Sequence, residues 1–399
     1  MESGCLSQTS LAPAYVLNMY GTGLGIARNL GRHGIPVVGV SSRPHTPGAP
    51  SRFSRHLVAP DSETQSEELV AFLLEQRRAE NGPAVLFPSR DQDIFFIERH
   101  RDRLTQRFIF SQPSGDALDR IMDKDRLATH ARSVGIASPR TWKVRSEAEL
   151  ERIRAEIAFP AVLKPVVAAR WRHAEAWEAA GQRKGARTSD FPSLLDAYRR
   201  IAAHVPEALV QEWVPGAEDQ FYVYGTYFDR AGRHAAGFTA NKLLQYPPEF
   251  GLGCLVRTAD DPDVEALSIR LLESLGFRGI AEVEWKRNPA TGKLTLIEIN
   301  PRHWDQHELG TRSGVNLTYI AYRDLCAAAP IPVRRSRRRC YWIGEQGLWG
   351  GFKDDVKRGR SRTLALAAPA LFAPKVYALW SWRDPAPALS TIFHRSRKD

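Results

Sequence analysis

Two short segments late in the chain leave it little freedom: Ala281-Glu-Val-Glu-Trp-Lys286 and Leu296-Ile-Glu-Ile-Asn-Pro-Arg302. Branched and polar residues alternate in both. Between them Asn288-Pro-Ala-Thr-Gly292 has proline and glycine where a tight turn wants them. The pattern predicts a hairpin of two strands, Gly279 to Arg287 and Lys293 to Asn300. Side chains alternate faces along a strand, so Glu282 and Glu284 share a face, and so do Glu298 and Asn300. If the apolar face is buried, these oxygens point into one cleft. The plain alternative is an exposed hairpin with its polar residues outward.

The rest of the chain must supply the other wall of such a cleft. At 399 residues it is too long for one compact core. The first third alternates strand and helix. Strands are expected at Ala14 to Tyr20, Pro36 to Val40, Ala84 to Pro88 and Arg107 to Phe110. Helices are expected up to His33, from Glu63 to Glu80 and from Asp91. Such alternation argues for a parallel sheet covered on both faces. The middle changes character. Helices are expected over Asp123 to Val134, Asp190 to His204 and Asp263 to Leu275. Strands are expected over Ala161 to Val166, Ala208 to Val214 and Gln220 to Phe228, and a basic, tryptophan-containing loop over Ala168 to Ser189. Mostly antiparallel strands with helices set aside predict an α+β region. The expected division is 1–115, an N-terminal parallel α/β domain, then 116–330 in two α+β lobes (116–213 and 214–330). A basic C-terminal extension with several Trp and Pro fills 331–399.

Charge and cysteines narrow the partners. The formal net charge is +11, which favours anionic ligands in general. No nucleic-acid reader motif accompanies it, so dedicated nucleic-acid binding is not expected. Cys5, Cys254, Cys326 and Cys340 are scattered without a CxxC pair, which points to a reducing, cytoplasmic setting. The first residues lack a basic segment followed by an apolar one, so no signal peptide is read there. The apolar stretch Thr363 to Trp380 is interrupted by Pro369, Pro374 and Lys375 and falls short of the ~20 residues that span a bilayer. A buried helix plus a loop is expected there, with a membrane-surface contact as the alternative. The block Arg334, Arg335, Arg337, Arg338, Arg339 reads as a solvated segment, or as a contact for an anionic substrate or lipid.

The hairpin ending in Glu298-x-Asn300-x-Arg302 resembles the metal-binding strands of the ATP-grasp superfamily, and further elements follow in that family's order over roughly residues 115–325. What the resemblance implies is an ATP-grasp architecture: the N-terminal α/β unit, then two lobes clasping ATP. Lys124, in Met122-Asp-Lys-Asp125, looks like the first phosphate-binding lysine. Lys164, in Phe159-Pro-Ala-Val-Leu-Lys-Pro165, looks like the second. Gln211-Glu-Trp-Val-Pro-Gly216 looks like the hinge, so Gln211, Glu212, Trp213 and Val214 would receive the adenine. Glu218 or Asp219 resembles the ribose-binding acid, and Lys242 the basic residue near the γ-phosphate. Glu284, Glu298 and Asn300 match the Mg²⁺ ligands, with Mn²⁺ as an alternative ion, and Arg302 matches the catalytic arginine. Oxygen donors of this kind are hard ligands suited to Mg²⁺, and a guanidinium can stabilise a transferring phosphoryl group. An unpaired lysine within an apolar strand, as Lys164 is, either has an anionic ligand nearby or snorkels at the strand end.

Two features depart from the family. The loop after Lys164 is usually glycine-rich so that backbone amides fold over phosphate. Here glycine stands only at 181 and 185, and Arg170, Trp171, Arg172, Arg183 and Lys184 fill it, with Lys184 the expected phosphate contact. The N-terminal Gly21-Thr-Gly-Leu-Gly25 lacks the third glycine of a dinucleotide fingerprint, and Ser41, Ser42 and Arg43 stand where its acid would be. An NAD site is therefore not expected. Those glycines allow close packing, and the helix start could hold a carboxylate or phosphate. Arg90, in Ser89-Arg-Asp-Gln-Asp93, either clamps a substrate carboxylate or belongs to a helix cap. Tyr246-Pro-Pro-Glu-Phe-Gly-Leu-Gly253 resembles the acceptor-facing loop of peptide-forming members. His303, Trp304, His307 and Asn316 either line an acceptor pocket or pack.

The resemblance is strongest to the D-aspartate ligase and carboxylate–amine ligase group. It implies an ADP-forming ligase that joins a carboxylate to an amine, an amino acid or short peptide, through an acyl phosphate. A non-catalytic ATP-binding sensor or scaffold is the rival reading.

Overall fold

A computed structural model of the chain describes residues 11–77, 82–166, 178–180 and 185–395. Lys184 and the arginines at 170, 172 and 183 lie outside the described residues, as does Trp171.

Five strands form the first sheet: β1 (Ala14–Leu17), β2 (Val37–Ser41), β3 (Arg55–Val58), β4 (Ala84–Phe87) and β5 (Phe108–Ile109). They are parallel, in the order β3-β2-β1-β4-β5. β1, β2 and β4 are continuous apolar runs because helices cover both faces. β3 is an edge strand that carries no apolar run, which is why the sequence does not announce it. The order reverses between β1 and β4, and their carboxyl ends open a crevice there.

Four antiparallel strands form a second, smaller sheet: β6 (Thr141–Val144), β7 (Ala161–Pro165), β8 (Ala186–Thr188) and β9 (Ala208–Glu212), ordered β6-β9-β7-β8. It has a core of its own with helix Phe191–Ala202, in which Leu163, Leu194, Tyr198 and Val210 meet.

The third sheet has seven strands: β10 (Phe221–Phe228), β11 (His234–Tyr246), β12 (Leu252–Ala259), β13 (Gly279–Arg287), β14 (Leu294–Asn300), β15 (Tyr341–Ile343) and β16 (Lys375–Tyr377). The order is β14-β13-β10-β11-β12-β15-β16, antiparallel except for the last pair. One face packs on helices Lys124–Ser133 and Pro262–Ser274 around Trp285, whose indole N–H donates to Ser268 Oγ at 2.8 Å. The other face packs on helix Leu317–Leu325 and on helix Gly21–Gly31 beneath the first sheet.

β11 and β12 have no counterpart in the sequence expectation. Asn241 and Lys242 interrupt the apolar pattern of β11, and the segment Tyr246 to Gly253 turns out to be the tip of their hairpin. The C-terminal segment differs from expectation too. It adds β15 and β16 to the large sheet, and the stretch from Thr363 forms a short helix, Arg362–Ala367, and a strand. Leu364, Leu371 and Phe372 there are exposed, so the expected buried helix is not found.

Candidate active site

Strand phase decides which side chains meet. β13 gives Ala281, Val283 and Trp285 to the core beneath helix Pro262–Ser274, which turns Glu282, Glu284 and Lys286 to the opposite face. β14 reaches the same face by an irregularity. Leu294 and Leu296 enter that core, so strict alternation would send Glu298 and Asn300 into it as well. Instead Leu296 lies opposite Trp285 while Glu298 lies opposite Glu284, leaving Ile297 as the extra residue of a β-bulge. Ile299 then takes the core position, and Glu298 and Asn300 face the cleft. On β11, Ala236, Phe238 and Ala240 pack against the other core, and Lys242 continues their alternation toward Glu284.

The charges interlock. Lys242 Nζ lies 2.6 Å from Glu284 Oε1. Burial pulls its pKa down, but Glu284, Glu282 and Glu298 outweigh burial and hold it above the usual lysine value. Lys124, first residue of the helix capped by Asp123, places Nζ 3.8 Å from Glu298 Oε2. Asn300 Nδ2 donates to Glu282 Oε2 at 3.0 Å and to Glu298 Oε1 at 3.4 Å. Its Oδ1 accepts from Arg302 Nη2 at 3.4 Å. Arg302 is fixed from two further sides: Nε donates to Asp91 Oδ1 at 2.6 Å and Nη1 to the His303 carbonyl at 3.0 Å. Burial lowers its pKa, Asp91, Glu282 and Glu298 raise it, and the net shift is upward. Asp91 opens a helix after β4, so the first sheet reaches this cleft through one carboxylate.

The second wall comes from the small sheet. Lys164 Nζ donates to Gln211 Oε1 at 2.7 Å, and Gln211 Nε2 donates to Thr141 Oγ1 at 3.0 Å. Burial and then Lys124 lower the Lys164 pKa to about 8, with Glu298 and Glu284 acting in the opposite sense. The structure therefore brings Lys124, Lys164, Lys242, Glu284, Glu298, Asn300 and Arg302 to one place.

The segment after β9 forms the next part of the wall. Glu212 Oε2 accepts from the Arg140 amide at 3.2 Å. The ring of Trp213 lies under Lys286 Nζ at 4.4 Å and under the Arg187 guanidinium at 4.5 Å. Val214 is half-buried, and Gly216 closes the turn at φ +116°, a backbone angle that favours glycine. Glu218 does not stand open: Arg362 Nη2 donates to its Oε2 at 3.1 Å and the Glu249 amide to its Oε1 at 3.3 Å. Asp219 is exposed, with its carbonyl accepting from Asn241 Nδ2 at 2.7 Å. The Tyr246 to Gly253 tip thus lies against this segment.

Sequence reasoning left two cleft residues without a role. Lys286 is buried, its pKa lowered to about 8 by burial and then by Arg187. Glu282 is also buried. Burial and then Glu284 raise its pKa to about 8, and its Oε1 has no hydrogen-bond partner among the described residues. The alternation that pairs Glu282 with Glu284 also reaches Lys286, so the signal for it was present.

Other candidates resolve into packing. Asp305 Oδ1 accepts from Thr22 Oγ1 at 2.6 Å at the start of helix Gly21–Gly31, so an internal carboxylate takes the anion position considered there. A Cβ at Gly23 would come within 2.2 Å of the Asn18 carbonyl, which explains that glycine. Arg90 is held by Ser62 at 3.0 Å, and Asp93 caps the helix by accepting from the Ser89 and Arg90 amides. His303, Trp304 and His307 are buried, with burial driving His307 to about 4 and His303 well below its usual value. Asn316 caps helix Leu317–Leu325. Among the described residues no group of three or more His, Cys, Asp or Glu gathers as for a metal ion. The candidate donor set therefore consists of two carboxylates and an amide.

A parallel sheet joined to two antiparallel sheets that close on a cleft of lysines and carboxylates is the ATP-grasp fold. No family model matches the chain. The chain is 27% identical over 183 residues to the D-alanine–D-alanine ligase of Stutzerimonas stutzeri (strain A1501), which is 45% of this chain and 54% of that protein. It thus spans about half the length of that ligase. Over 290 residues it is 23% identical to the D-aspartate ligase of Enterococcus faecium (strain Aus0004), covering 69% of this chain and 68% of the relative. Among solved structures it resembles the biotin carboxylase domain of the Hydrogenobacter thermophilus 2-oxoglutarate carboxylase, solved with MgADP, ADP and bicarbonate. The TM-score is 0.62 at 13% identity, over 82% of this chain and 73% of that one.

Proposed function

We propose that the chain is an ATP-dependent carboxylate–amine ligase. The observation that carries this is the meeting of Lys124, Lys164, Lys242, Glu284, Glu298, Asn300 and Arg302 from two sheets at one cleft. A substrate carboxylate oxygen attacks the γ-phosphorus, the bond to the bridging oxygen breaks, and ADP leaves. The amine nitrogen then attacks the acyl phosphate carbonyl, phosphate leaves with the bonding pair, and the amine sheds a proton to give the amide. An amino acid or short peptide fits the named relatives as acid or amine.

In this reading Lys124, Lys164 and Lys242 offset phosphate charge, and Arg302 steadies charge on the transferring group, with its direction set by Asp91. Gln211 to Val214 receive the base, and Glu218 or Asp219 the ribose. Lys184 remains a candidate phosphate contact. Glu284 and Glu298 with the Asn300 amide oxygen are the hard donors that would hold Mg²⁺, with Mn²⁺ a substitute. The ion would supply charge stabilisation at the phosphates. The amide nitrogen of Asn300 now faces the carboxylates, so holding a cation asks for the opposite amide face. The units proposed are 1–115, 116–330 in two lobes, and 331–399, the last extending the large lobe's sheet.

The reading is tested by ADP release across a carboxylate-by-amine matrix, with mass spectrometry of the products. Turnover with one pair and the matching amide mass are expected; ATP binding without turnover on any pair would leave the sensor reading. Glu298→Gln should weaken magnesium affinity by about a hundredfold, measured by titration with nucleotide present. An unchanged affinity would remove Glu298 from the ion site.

The low pKa of Lys164 gives a pH signature. The group is charged below about 8 and neutral above it. Nucleotide affinity should therefore fall as pH rises through about 8, by up to about tenfold per pH unit. Lys164→Arg should flatten this profile; a wild-type dissociation constant constant from pH 7 to 9 would contradict it. Stability runs the other way for this group. The unfolded chain keeps the proton up to the ordinary value of 10.5, so its contribution to stability rises between about 8 and 10.5.

A further inference from the structure

The C-terminal segment carries a surface that the ligase reading does not use. Helix Glu345–Lys357 packs through glycine: a Cβ at Gly347 would meet Cys254 at 2.7 Å, and one at Gly350 would meet the Tyr246 ring at 2.5 Å. The backbone lies that close to β11 and β12, and no residue of the helix is buried. Leu348 packs inward as well, whereas Trp349 and Val356 are exposed. Trp349, Phe352, Lys353 and Val356 are spaced three, four and seven residues apart, which is one helix face. The rings of Trp349 and Phe352 stack at 5.6 Å, and Lys353 Nζ lies 5.5 Å from the Trp349 ring.

The pattern continues downstream. Helix Arg362–Ala367 packs beside the first at Gly351 and Thr363 and exposes Leu364. Leu371 follows, then Phe372 at 96% exposure and Trp382 at 87%. Of the fourteen large apolar side chains exposed among the described residues, seven fall between 349 and 389. Such concentration of exposed apolar side chains in one stretch of the chain is what a contact surface requires.

Charge selects the occupant. From Glu345 to Arg395 there are eight Lys and Arg against four Asp and Glu. Two of those acids are turned inward: Glu345 accepts from the Leu379 and Trp380 amides, and Asp384 pairs with Arg28. Lys353, which lies over Trp349, and Lys357, Arg358 and Arg360 of the same segment stand exposed. A second copy meeting this face symmetrically would set basic residues against basic residues. An anionic bilayer surface complements both features, since aromatic and aliphatic side chains enter the headgroup layer while Lys and Arg meet lipid phosphates. No helix among the described residues is long and apolar enough to cross a membrane, so the contact is made from one side.

We propose that residues 345–392 dock the protein on anionic membrane surfaces through the apolar face of helix Glu345–Lys357 and the exposed Leu371, Phe372 and Trp382, assisted by the exposed lysines and arginines of the same segment. The surface adjoins the cleft, because Arg362 at its border holds Glu218. The proposal stands independently of the reaction the cleft performs.

The test uses the full chain with vesicles of phosphatidylglycerol mixed into phosphatidylcholine, and with phosphatidylcholine alone. Co-sedimentation with the anionic vesicles and a blue shift of tryptophan emission are expected, with weak binding to the neutral ones. Phe372→Ser with Trp382→Ser should abolish the binding, and Lys357→Glu with Arg358→Glu should reduce it by about tenfold or more. Both double variants change exposed side chains, and unaltered ATP binding and thermal unfolding would show that they fold. Equal binding to both vesicle types, or anionic binding untouched by either double variant, overturns the proposal. So does absence of vesicle binding, whether the protein stays monomeric, forms a dimer that the Phe372→Ser and Trp382→Ser variant loses, or uses this face for an acidic protein.

Discussion

Replacing Arg302 with alanine should lower the rate of ADP release by on the order of a thousandfold while leaving the ATP dissociation constant within a few fold. The asymmetry follows from how the guanidinium is held. Asp91, the His303 carbonyl and the Asn300 amide oxygen each take one nitrogen, at 2.6, 3.0 and 3.4 Å. A group fixed in this way need not reorganise when charge develops on a transferring phosphoryl group, whereas a mobile one must. Lysine at this position keeps the charge and loses the planar fork, so Arg302→Lys should recover only part of the rate. Asp91→Asn should lower kcat more than it raises KM, because it loosens the arginine without touching nucleotide. A kcat near wild type in Arg302→Ala would remove the arginine from the reaction and leave the cleft as a binding site.

The largest effect on stability is expected far from that cleft. Arg28 and Asp384 form an ion pair at 2.9 Å with both side chains 1% exposed. Asp384 also accepts from Ser51 Oγ at 2.8 Å and from the Arg52 amide at 3.0 Å, while Arg28 Nη2 donates to the Leu379 and Asp384 carbonyls. Asp384→Ala leaves the guanidinium buried without its counter-charge, which costs about 3–5 kcal/mol. Denaturant unfolding should show the loss, and hydrogen exchange should show β16 and its flanks opening first. Arg28→Met combined with Asp384→Leu should regain much of it, since an apolar pair avoids the desolvation of two ions. If Asp384→Ala unfolds at the wild-type denaturant concentration, the pair does not hold the C-terminal segment in place.

The parts of this fold that the sequence announces are those whose pattern is local. β1, β2 and β4 are buried on both sides and read as apolar runs, and the β13–β14 turn carries its own proline and glycine. β11 and β12 were not legible, because Asn241, which holds the Asp219 carbonyl, and Lys242, which faces the cleft, break the alternation by which a strand is recognised. The facing of Glu298 and Asn300 shows the limit most clearly. Each hairpin strand predicts its own pairs correctly, but agreement between the two strands depends on the Ile297 bulge, which belongs to the pairing and not to either segment. The approach of Lys124 to Glu298, across 174 positions of sequence, lay beyond periodicity and came only from order within a family pattern. The exposure of Phe372 and Trp382 was invisible as well, because an apolar run looks the same whether it meets protein or water.

The Arg28–Asp384 clasp also sets what can move. Through it, and through the shared apolar layer around Trp304 and Leu317, the five-stranded and seven-stranded sheets behave as a single block. The four-stranded sheet keeps a separate interior and meets that block through the chain before Thr141 and after Glu212, and through Arg187, which pairs with Glu249 at 3.5 Å. A swing of this small sheet, as one jaw against an anvil, would carry Lys164 toward or away from Glu284 and Glu298 while leaving Arg302 in place.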